Sequence, residues 1–480
     1  MTSSLRAPDA TLIKAIQAIV GEAGWKPGQE AQEAQRYFED PRGRFQGGGC
    51  LIALPESTEQ VAEILRLCDK AKAGVIPYGG GTGVVAGQLS IARDDAIILS
   101  LERMNRVRQF SVEERVLTAE SGCILENLHS YAFEAGLMFP LSMASKGSCS
   151  IGGNLATNAG GIQVLRHGNA RDLCLGIEAV FANGDVFSEL SPLRKNNTGY
   201  DLRHLLIGSE GTLGVITAAS LVLKPLDPET VTVFCAMTSP GKALRLYNRL
   251  DKVLGDSISG LELMSDFGLD LVTTHFPALA KPFRDRYPWY LLVEVGGHLG
   301  IRARVEDVLS ESMELEILQD AVFADSQAQR AALWDLREYT PEANRLTGAI
   351  CSSDTSVPIG QIEPFIARAA QAVAKQHPGL RINSYGHMGD GNIHLNVFPP
   401  AGFSKADFLA GNGAIIDAVR MAINETTHHF GGSISAEHGI GRLKTSDLKT
   451  YAGHAKLKAM TAVKKALDPN GILNPGALIG

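Results

Sequence analysis

Three clusters of glycine and small polar residues in the first half of this chain limit what it can fold into more than any other feature. The first, Pro77-Tyr78-Gly79-Gly80-Gly81-Thr82-Gly83, follows an apolar run. The second begins at Lys146-Gly147-Ser148-Cys149-Ser150-Ile151-Gly152-Gly153-Asn154 and continues to Thr157-Asn158-Ala159-Gly160-Gly161. The third is Gly208-Ser209-Glu210-Gly211-Thr212-Leu213-Gly214-Val215-Ile216-Thr217. Without a Cβ, backbone N–H groups can converge on an anion, and Thr82 adds a hydroxyl donor. The first cluster is not a dinucleotide fingerprint, because position 86 is Ala where GxGxxG needs glycine, and no GK[ST] makes it a P-loop. A single such loop reads equally well as a tight turn. Three of them, with apolar residues such as Ile151, Leu155, Ile162, Val164 and Leu173 recurring between, read as an ordered ligand cradle.

Composition narrows the class. The chain has 480 residues, enough for two or three domains of roughly 100–200 residues each. It is 45% apolar and 20% charged with a net charge of -7, so there is no basic footprint for nucleic acid. The seven cysteines form no CxxC pair, which argues for reduced thiols rather than a disulfide framework or a cysteine zinc site. No run reaches the ~18 apolar residues of a transmembrane helix, and the N-terminus has no signal-peptide core. A cytoplasmic protein is expected, or one of the mitochondrial matrix if the chain is eukaryotic.

Periodicity predicts helices over residues 10–22 and 57–73, the second opened by a Ser57/Gln60 capping box. Strands are expected at Val75-Ile76, Ala96 to Leu99, Val116 to Ala119 and Ile177 to Ala182, the last followed by an Asn183-Gly184 hairpin turn. Lys224-Pro225-Leu226-Asp227-Pro228 reads as a domain boundary. Beyond it, strands at Val231 to Met237 and Trp289 to Val295 alternate with helices at Ala243 to Leu254 and Ala303 to Leu315, an α+β pattern. From about Asp407 the chain is mostly helical, broken at Gly431-Gly432 and Gly439.

A second site is suggested by Gly386-His387-Met388-Gly389-Asp390-Gly391-Asn392-Ile393-His394-Leu395-Asn396. A turn at 389–391 brings His387 and His394 together, although on one straight strand they would face opposite ways. Imidazoles suit Zn²⁺, with Mn²⁺ or Fe²⁺ as alternatives. Glu437-His438-Gly439-Ile440-Gly441 offers a carboxylate beside another histidine. The plainer readings are a hydrogen-bonded structural histidine, a turn aspartate at 390 and a helix-end glutamate.

The three glycine clusters resemble the FAD-binding domain of the vanillyl-alcohol oxidase and p-cresol methylhydroxylase superfamily. The HxGDGNxH and EHGIG pair is similar to the C-terminal domain of FAD-linked D-lactate, glycolate and D-2-hydroxyglutarate dehydrogenases. The resemblance runs from about Gly47 to Gly476. It implies an α+β fold: a two-subdomain FAD-binding domain over 1–226 (core about 43–226), then a ferredoxin-like substrate domain over 227–480, whose final helical segment, about 460–480, returns to the flavin. It places FAD, non-covalently, with its pyrophosphate at Gly79, Gly80, Gly81, Thr82 and Gly83, its ribityl and isoalloxazine region at Gly147, Ser148, Gly152, Gly153 and Asn158, and its adenine and diphosphate near Gly211 and Ile216; Pro77, Ile151, Gly160, Gly161, Glu210 and Gly214 also line the cofactor, and Asn474 of the closing Leu473-Asn474-Pro475-Gly476 reaches the flavin. It makes His387, His394 and Glu437 ligands of a divalent metal, His438 the base, and Arg337 and Asn396 substrate contacts, with His438 also touching substrate.

The implied chemistry is oxidation of a small 2-hydroxy acid: the cation polarises the hydroxyl, His438 takes its proton, and a hydride passes to flavin N5. Electrons would leave to a quinone, a cytochrome or an electron-transfer flavoprotein, and a homodimer is compatible. Three other readings compete: an oxidase using O₂, a relative of alkyl-glycerone-phosphate synthase without net redox, and a flavin-binding subunit of a glycolate oxidase-type complex. Arg337 also reads as a surface residue paired with Asp335 or Glu338. One departure bears on substrate. The lysine and threonine that hold the distal carboxylate in the 2-hydroxyglutarate enzymes fall, without gaps, at Ser352 and Pro341, with Thr340 one residue away as a stand-in. That favours a monocarboxylate or a longer apolar hydroxy acid.

Overall fold

The computed structural model describes residues 5–28, 32–91 and 95–479. It parts into two compact units. One comprises residues 1–161, 168–226 and 437–480; the other comprises 162–167 and 227–436. The segment that rejoins the first unit thus starts at Glu437, earlier than position 460.

The first unit carries two sheets. A four-stranded sheet runs Trp25–Pro27, Leu51–Ala53, Ile97–Ser100, Val75–Tyr78, with the last three parallel. Helix Thr58–Ala71 packs Val61, Ile64, Leu65 and Cys68 into the core beside it. Its cap is half as expected: Ser57 Oγ accepts from Gln60 N, but Gln60 Oε1 accepts from Glu56 N, one residue before the position a capping box uses. The predicted helix at 10–22 ends at Val20, with Asp9 accepting from Leu12 N at its start. The second sheet is antiparallel: Val107–Ser111, Val116–Glu120, Val215–Val222, Cys174–Val180, Val186–Ser188. Asn183-Gly184 makes the hairpin joining its last two strands, and the turn needs Gly184 at φ +83°. The returning segment adds an edge to the first sheet: Val75 N donates to Ile472 O and Asn474 N to Val75 O, both at 2.8 Å.

The second unit is built on one antiparallel sheet, in the order Asp320–Phe323, Glu229–Met237, Trp289–Gly297, Ile258–Ser265, Arg381–His387, Asn392–Phe398, Cys351–Ser352. Thr355–Ser356 also pairs with Asn392–Phe398. Both faces are covered, which is why its strands read as near-continuous apolar runs. Val233, Cys235, Leu261, Leu263, Ile393, Leu395 and Val397 pack under helices Pro240–Leu254, Ile301–Glu314, Ile362–Gln376 and Ile415–His429. Phe234, Ala236, Met264 and Phe398 pack on the other face against helices Asp266–His275, Gln327–Glu338 and Thr340–Thr347. Glu262, between Leu261 and Leu263, points to that second face.

Among the described residues, no helix is long and apolar enough to cross a membrane.

Candidate functional site

In the first unit, strand Val75–Tyr78 delivers the chain into the Gly79–Gly81 loop, which lines a cavity of about 530 Å³ with Tyr78, Gly122, Ile124, Ser148 and Ser150. Close backbone approach explains the glycines. A Cβ on Gly80 would lie 2.1 Å from Ser148 O, and one on Gly79 would lie 2.6 Å from Ser150 Oγ. Gln88 Nε2 donates to Gly81 O and Gly83 O, fixing the far side of the loop beyond Thr82.

Other predicted cofactor residues shape the cradle by packing. A Cβ on Gly152 would meet Ser121 Cβ at 2.5 Å, on Gly161 Ser142 O at 1.9 Å, on Gly211 Pro77 Cγ at 3.0 Å and on Gly214 Leu206 Cδ2 at 2.9 Å. Ile151 and Ile216 are buried, Gly147 is exposed, and Gly153 and Gly160 are half-buried. Asn158 spends Oδ1 on Arg171 N.

Four buried side-chain oxygens around these clusters have no hydrogen-bond partner among the described residues: Ser121 Oγ, Ser150 Oγ, Asn154 Oδ1 and Ser209 Oγ. Buried and unsatisfied, each costs about 1–3 kcal/mol. A glycine-lined cavity with the orphaned Ser150 Oγ among its lining residues, and further unsatisfied oxygens in the neighbouring clusters, fits a long polar cofactor such as FAD.

Glu210 and Asn474 hold the returning segment in place. The Glu210 carboxylate accepts from Ile440 N at 2.8 Å and Gly441 N at 2.6 Å. Burial pushes its pKa up, against the pull of those two N–H groups. Asn474 Nδ2 donates to Gly87 O and Glu210 O, while its Oδ1 accepts from Arg442. Both side chains are thus engaged with protein groups. Just ahead in the chain, Glu437 Oε1 lies 3.7 Å from His438 Nε2.

The second unit brings the two motif histidines together. Arg381–His387 and Asn392–Phe398 pair as a hairpin in which Tyr385 stands opposite His394 and His387 opposite Asn392. The turn folds one strand back on the other, so His387 and His394 become diagonal neighbours on one face, ring centroids 5.8 Å apart. On the neighbouring strand Glu262 stands opposite His387. Its Oε1 is 2.6 Å from His387 Nδ1, and its Oε2 accepts from Arg337 Nε at 2.6 Å. Burial alone would raise the Glu262 pKa; the Arg337 guanidinium and the His387 ring, each hydrogen-bonded to one of its oxygens, override it and hold it low.

Arg337 is therefore not the surface residue paired with Asp335 or Glu338 that its helix suggested. It is 7% exposed, reaches Glu262, and stacks its guanidinium over Tyr385 at 4.8 Å. Tyr385 in turn lies 5.1 Å from the His394 ring. Asp354, 2% exposed, places Oδ1 3.9 Å from His394 Nδ1 and accepts from Asn392 Nδ2.

Asn396 lies further along the same face and accepts at Oδ1 from Ser352 Oγ, 2.7 Å. Thr340, the residue one place from the missing threonine, is buried and donates its hydroxyl to Leu336 O. Sequence reasoning missed Glu262 and Asp354. The available signal for Glu262 was a lone acid inside the apolar strand Ile258–Ser265, which is rare unless the charge is paired.

Two imidazoles, each with a buried acid near its Nδ1, form a donor set suited to a divalent first-row cation. An adjacent buried guanidinium suits a carboxylate.

Comparison with known proteins assigns a family to each part of the chain. Residues 50–188 match the family described as FAD binding domain, and residues 226–478 match FAD linked oxidases, C-terminal domain. The chain is 35% identical to the mitochondrial D-2-hydroxyglutarate dehydrogenase of Arabidopsis thaliana, covering 98% of this chain and 82% of that protein. It is 36% identical to the D-2-hydroxyglutarate dehydrogenase of Xanthomonas citri pv. viticola, covering 94% and 93%. In structure it is similar to p-cresol methylhydroxylase with substrate bound, with a TM-score of 0.76 at 16% identity over 98% of this chain and 96% of that one, a likeness of fold. The chain belongs to the FAD linked oxidases, with an FAD binding domain ahead of that family's C-terminal domain.

Proposed function

We propose that this chain is an FAD-dependent dehydrogenase that oxidises a D-2-hydroxy acid to the 2-oxo acid, with a divalent cation, Zn²⁺ in the first instance, held by His387, His394 and Glu437. One observation carries the reading: in a chain with an FAD-binding domain, a hairpin sets His387 and His394 on one sheet face and Glu262 draws Arg337 onto the same face. When bound, FAD supplies the two-electron acceptor, and the cation supplies Lewis acidity that eases loss of the hydroxyl proton.

The chain's own groups do the rest. Arg337 binds the substrate carboxylate through its guanidinium, Asn396 contributes an amide, and an imidazole nitrogen of His438 accepts the hydroxyl proton. The glycine cradle encloses the cofactor, with Gly79 to Gly83 at its pyrophosphate.

The curated relatives are named for a dicarboxylate substrate. A second reading, a monocarboxylate such as lactate or glycolate, is favoured by Ser352 bonding Asn396 and by Thr340 spending its hydroxyl on its own helix. Electrons would pass on to a quinone, a cytochrome or an electron-transfer flavoprotein, in the cytoplasm or the mitochondrial matrix, from a monomer or a homodimer.

The test is anaerobic bleaching of the flavin band near ~450 nm, where oxidised flavin absorbs and loses its colour on accepting a hydride, with a panel of D- and L-2-hydroxy acids, with and without a chelator. Bleaching by D-acids alone, slowed by the chelator, is expected. Absence of bleaching with every acid overturns the reading. Steady H₂O₂ release in air would instead mark an oxidase.

A further inference from the structure

The chemistry above leaves the fully buried charge of Glu262 without a task. Glu262 is 0% exposed, in the middle of strand Ile258–Ser265. A carboxylate there serves as a structural counter-ion if it has one cationic partner. Glu262 has a neutral ring as well as a cation, one on each oxygen: Arg337 Nε on Oε2 and His387 Nδ1 on Oε1, both at 2.6 Å.

Strand pairing sets this geometry. Glu262 and His387 are direct cross-strand partners, and Glu262 faces the side of the sheet covered by helix Gln327–Glu338, which carries Arg337. Arg337 stays charged at any working pH and can only donate, so Oε2 is an acceptor. A carboxylate accepting at Oε1 as well takes the hydrogen of Nδ1. That selects the His387 tautomer whose lone pair is on Nε2, on the other side of the ring. The second histidine also has a buried acid on its Nδ1 side, beyond direct hydrogen-bond reach, with Asp354 Oδ1 3.9 Å from His394 Nδ1.

We infer that Glu262 is a positioning residue for both halves of the substrate site: one oxygen orients His387 so that Nε2 faces the cation, and the other anchors the Arg337 guanidinium that binds the substrate carboxylate. Glu262 thereby fixes the span between cation and guanidinium, which must match the spacing of hydroxyl and carboxylate in a 2-hydroxy acid. The inference rests on the proposed function.

The test compares the FAD-loaded wild type with Glu262→Gln, which keeps the shape and loses the charge. Zn²⁺ affinity is read by competition with a chromophoric chelator. KM and kcat for the best D-2-hydroxy acid are read at saturating Zn²⁺. The variant should keep its flavin and bind Zn²⁺ about 10–100-fold more weakly, as loss of an outer-shell partner does. Its KM should stay raised even when Zn²⁺ saturates, because Arg337 has lost its anchor. A His387→Ala variant should lose Zn²⁺ affinity, and adding Glu262→Gln to it should weaken Zn²⁺ binding little further.

Wild-type Zn²⁺ affinity and wild-type KM in Glu262→Gln, with or without a lower melting temperature, overturn the inference and leave a structural counter-ion. If Glu262→Gln is insoluble, Glu262→Asp keeps the charge and shortens the reach; weaker Zn²⁺ binding and a raised KM support the inference, and wild-type values overturn it. A wild type that binds no Zn²⁺ and is bleached by no hydroxy acid overturns the proposed function itself. A wild type that does both, with variants that match it, overturns only the role of Glu262.

Discussion

At the scale of single residues, the glycines of the cradle and the arginine of the sheet face make different demands. Gly80 has no room: an added methyl would sit 2.1 Å from Ser148 O, a backbone atom that cannot swing away. Gly80→Ala should cost about 1–3 kcal/mol from overpacking and release the flavin; the flavin-to-protein absorbance ratio after gel filtration checks the second effect, and full retention would refute it. Arg337 depends on the shape of its head group. One nitrogen is committed to Glu262 while the plane stacks on Tyr385, an arrangement a lysine ammonium cannot reproduce. Arg337→Lys should therefore raise KM for the hydroxy acid at least about tenfold, the equivalent of ~1.4 kcal/mol of lost carboxylate binding, with flavin content unchanged. Steady-state kinetics on the FAD-loaded variant decide this, and an unchanged KM would remove Arg337 from the substrate site.

At the scale of elements, local signals were legible and pairings were not. Asp9, Ser57 and the Asn183-Gly184 turn act through neighbours a few residues away, so their roles follow from the sequence. The hairpin around residues 389–391 was readable as a turn, but the diagonal placement of His387 and His394 comes from its register. Glu262 was invisible for the same reason: its partners lie 75 and 125 positions away, across strands whose order no local pattern specifies. The alternative reading of Arg337, a surface residue paired with Asp335 or Glu338, looked only to neighbours in sequence, whereas the residue is buried and reaches Glu262, 75 positions away. Strand Val116–Glu120 shows a nearer pairing, with the strand just before it in the chain, that has a measurable pH signature. Burial alone would raise the Glu120 pKa, but hydrogen bonds and charge from Arg106 and Arg108 lower it overall. A carboxyl with a lowered folded-state pKa stabilises the protein above its unfolded value of about 4.3 and loses that contribution as pH falls through the folded value. Urea unfolding should therefore find Glu120→Gln less stable than wild type at pH 7, with the gap closing below about pH 4.3. A gap that is constant with pH would show that the ion pairs add nothing.

At the scale of the whole molecule, the chain leaves the first unit at Leu226 and rejoins it at Glu437. What it brings back completes that unit. Ile472 and Asn474 bond Val75 at the open edge of the four-stranded sheet. Lys464 Nζ donates to Thr212 O and Leu473 O. Arg442 donates to Ala86 O and Gly87 O, and the N–H groups of Ile440 and Gly441 satisfy the buried Glu210 carboxylate. Those partners are 230 to 356 positions apart in the chain. Closing so long a loop costs entropy before any contact rewards it, so these contacts of the first unit form only after residues 437–480 have been made. A chain ending at Ala436 would leave a buried carboxylate without donors, a loss of at least about 1–3 kcal/mol, and would strip the sheet edge beside the glycine loop. It should bind little FAD and melt at a lower temperature with reduced cooperativity. Supplying residues 437–480 as a separate peptide should restore flavin binding in part, because the contacts are the same and only the connection is lost. Flavin fluorescence and circular dichroism melts of the truncated chain, with and without the peptide, decide the matter. A truncated chain that retains FAD and melts like the full one would mean that the returning segment is an attachment to a unit already complete without it.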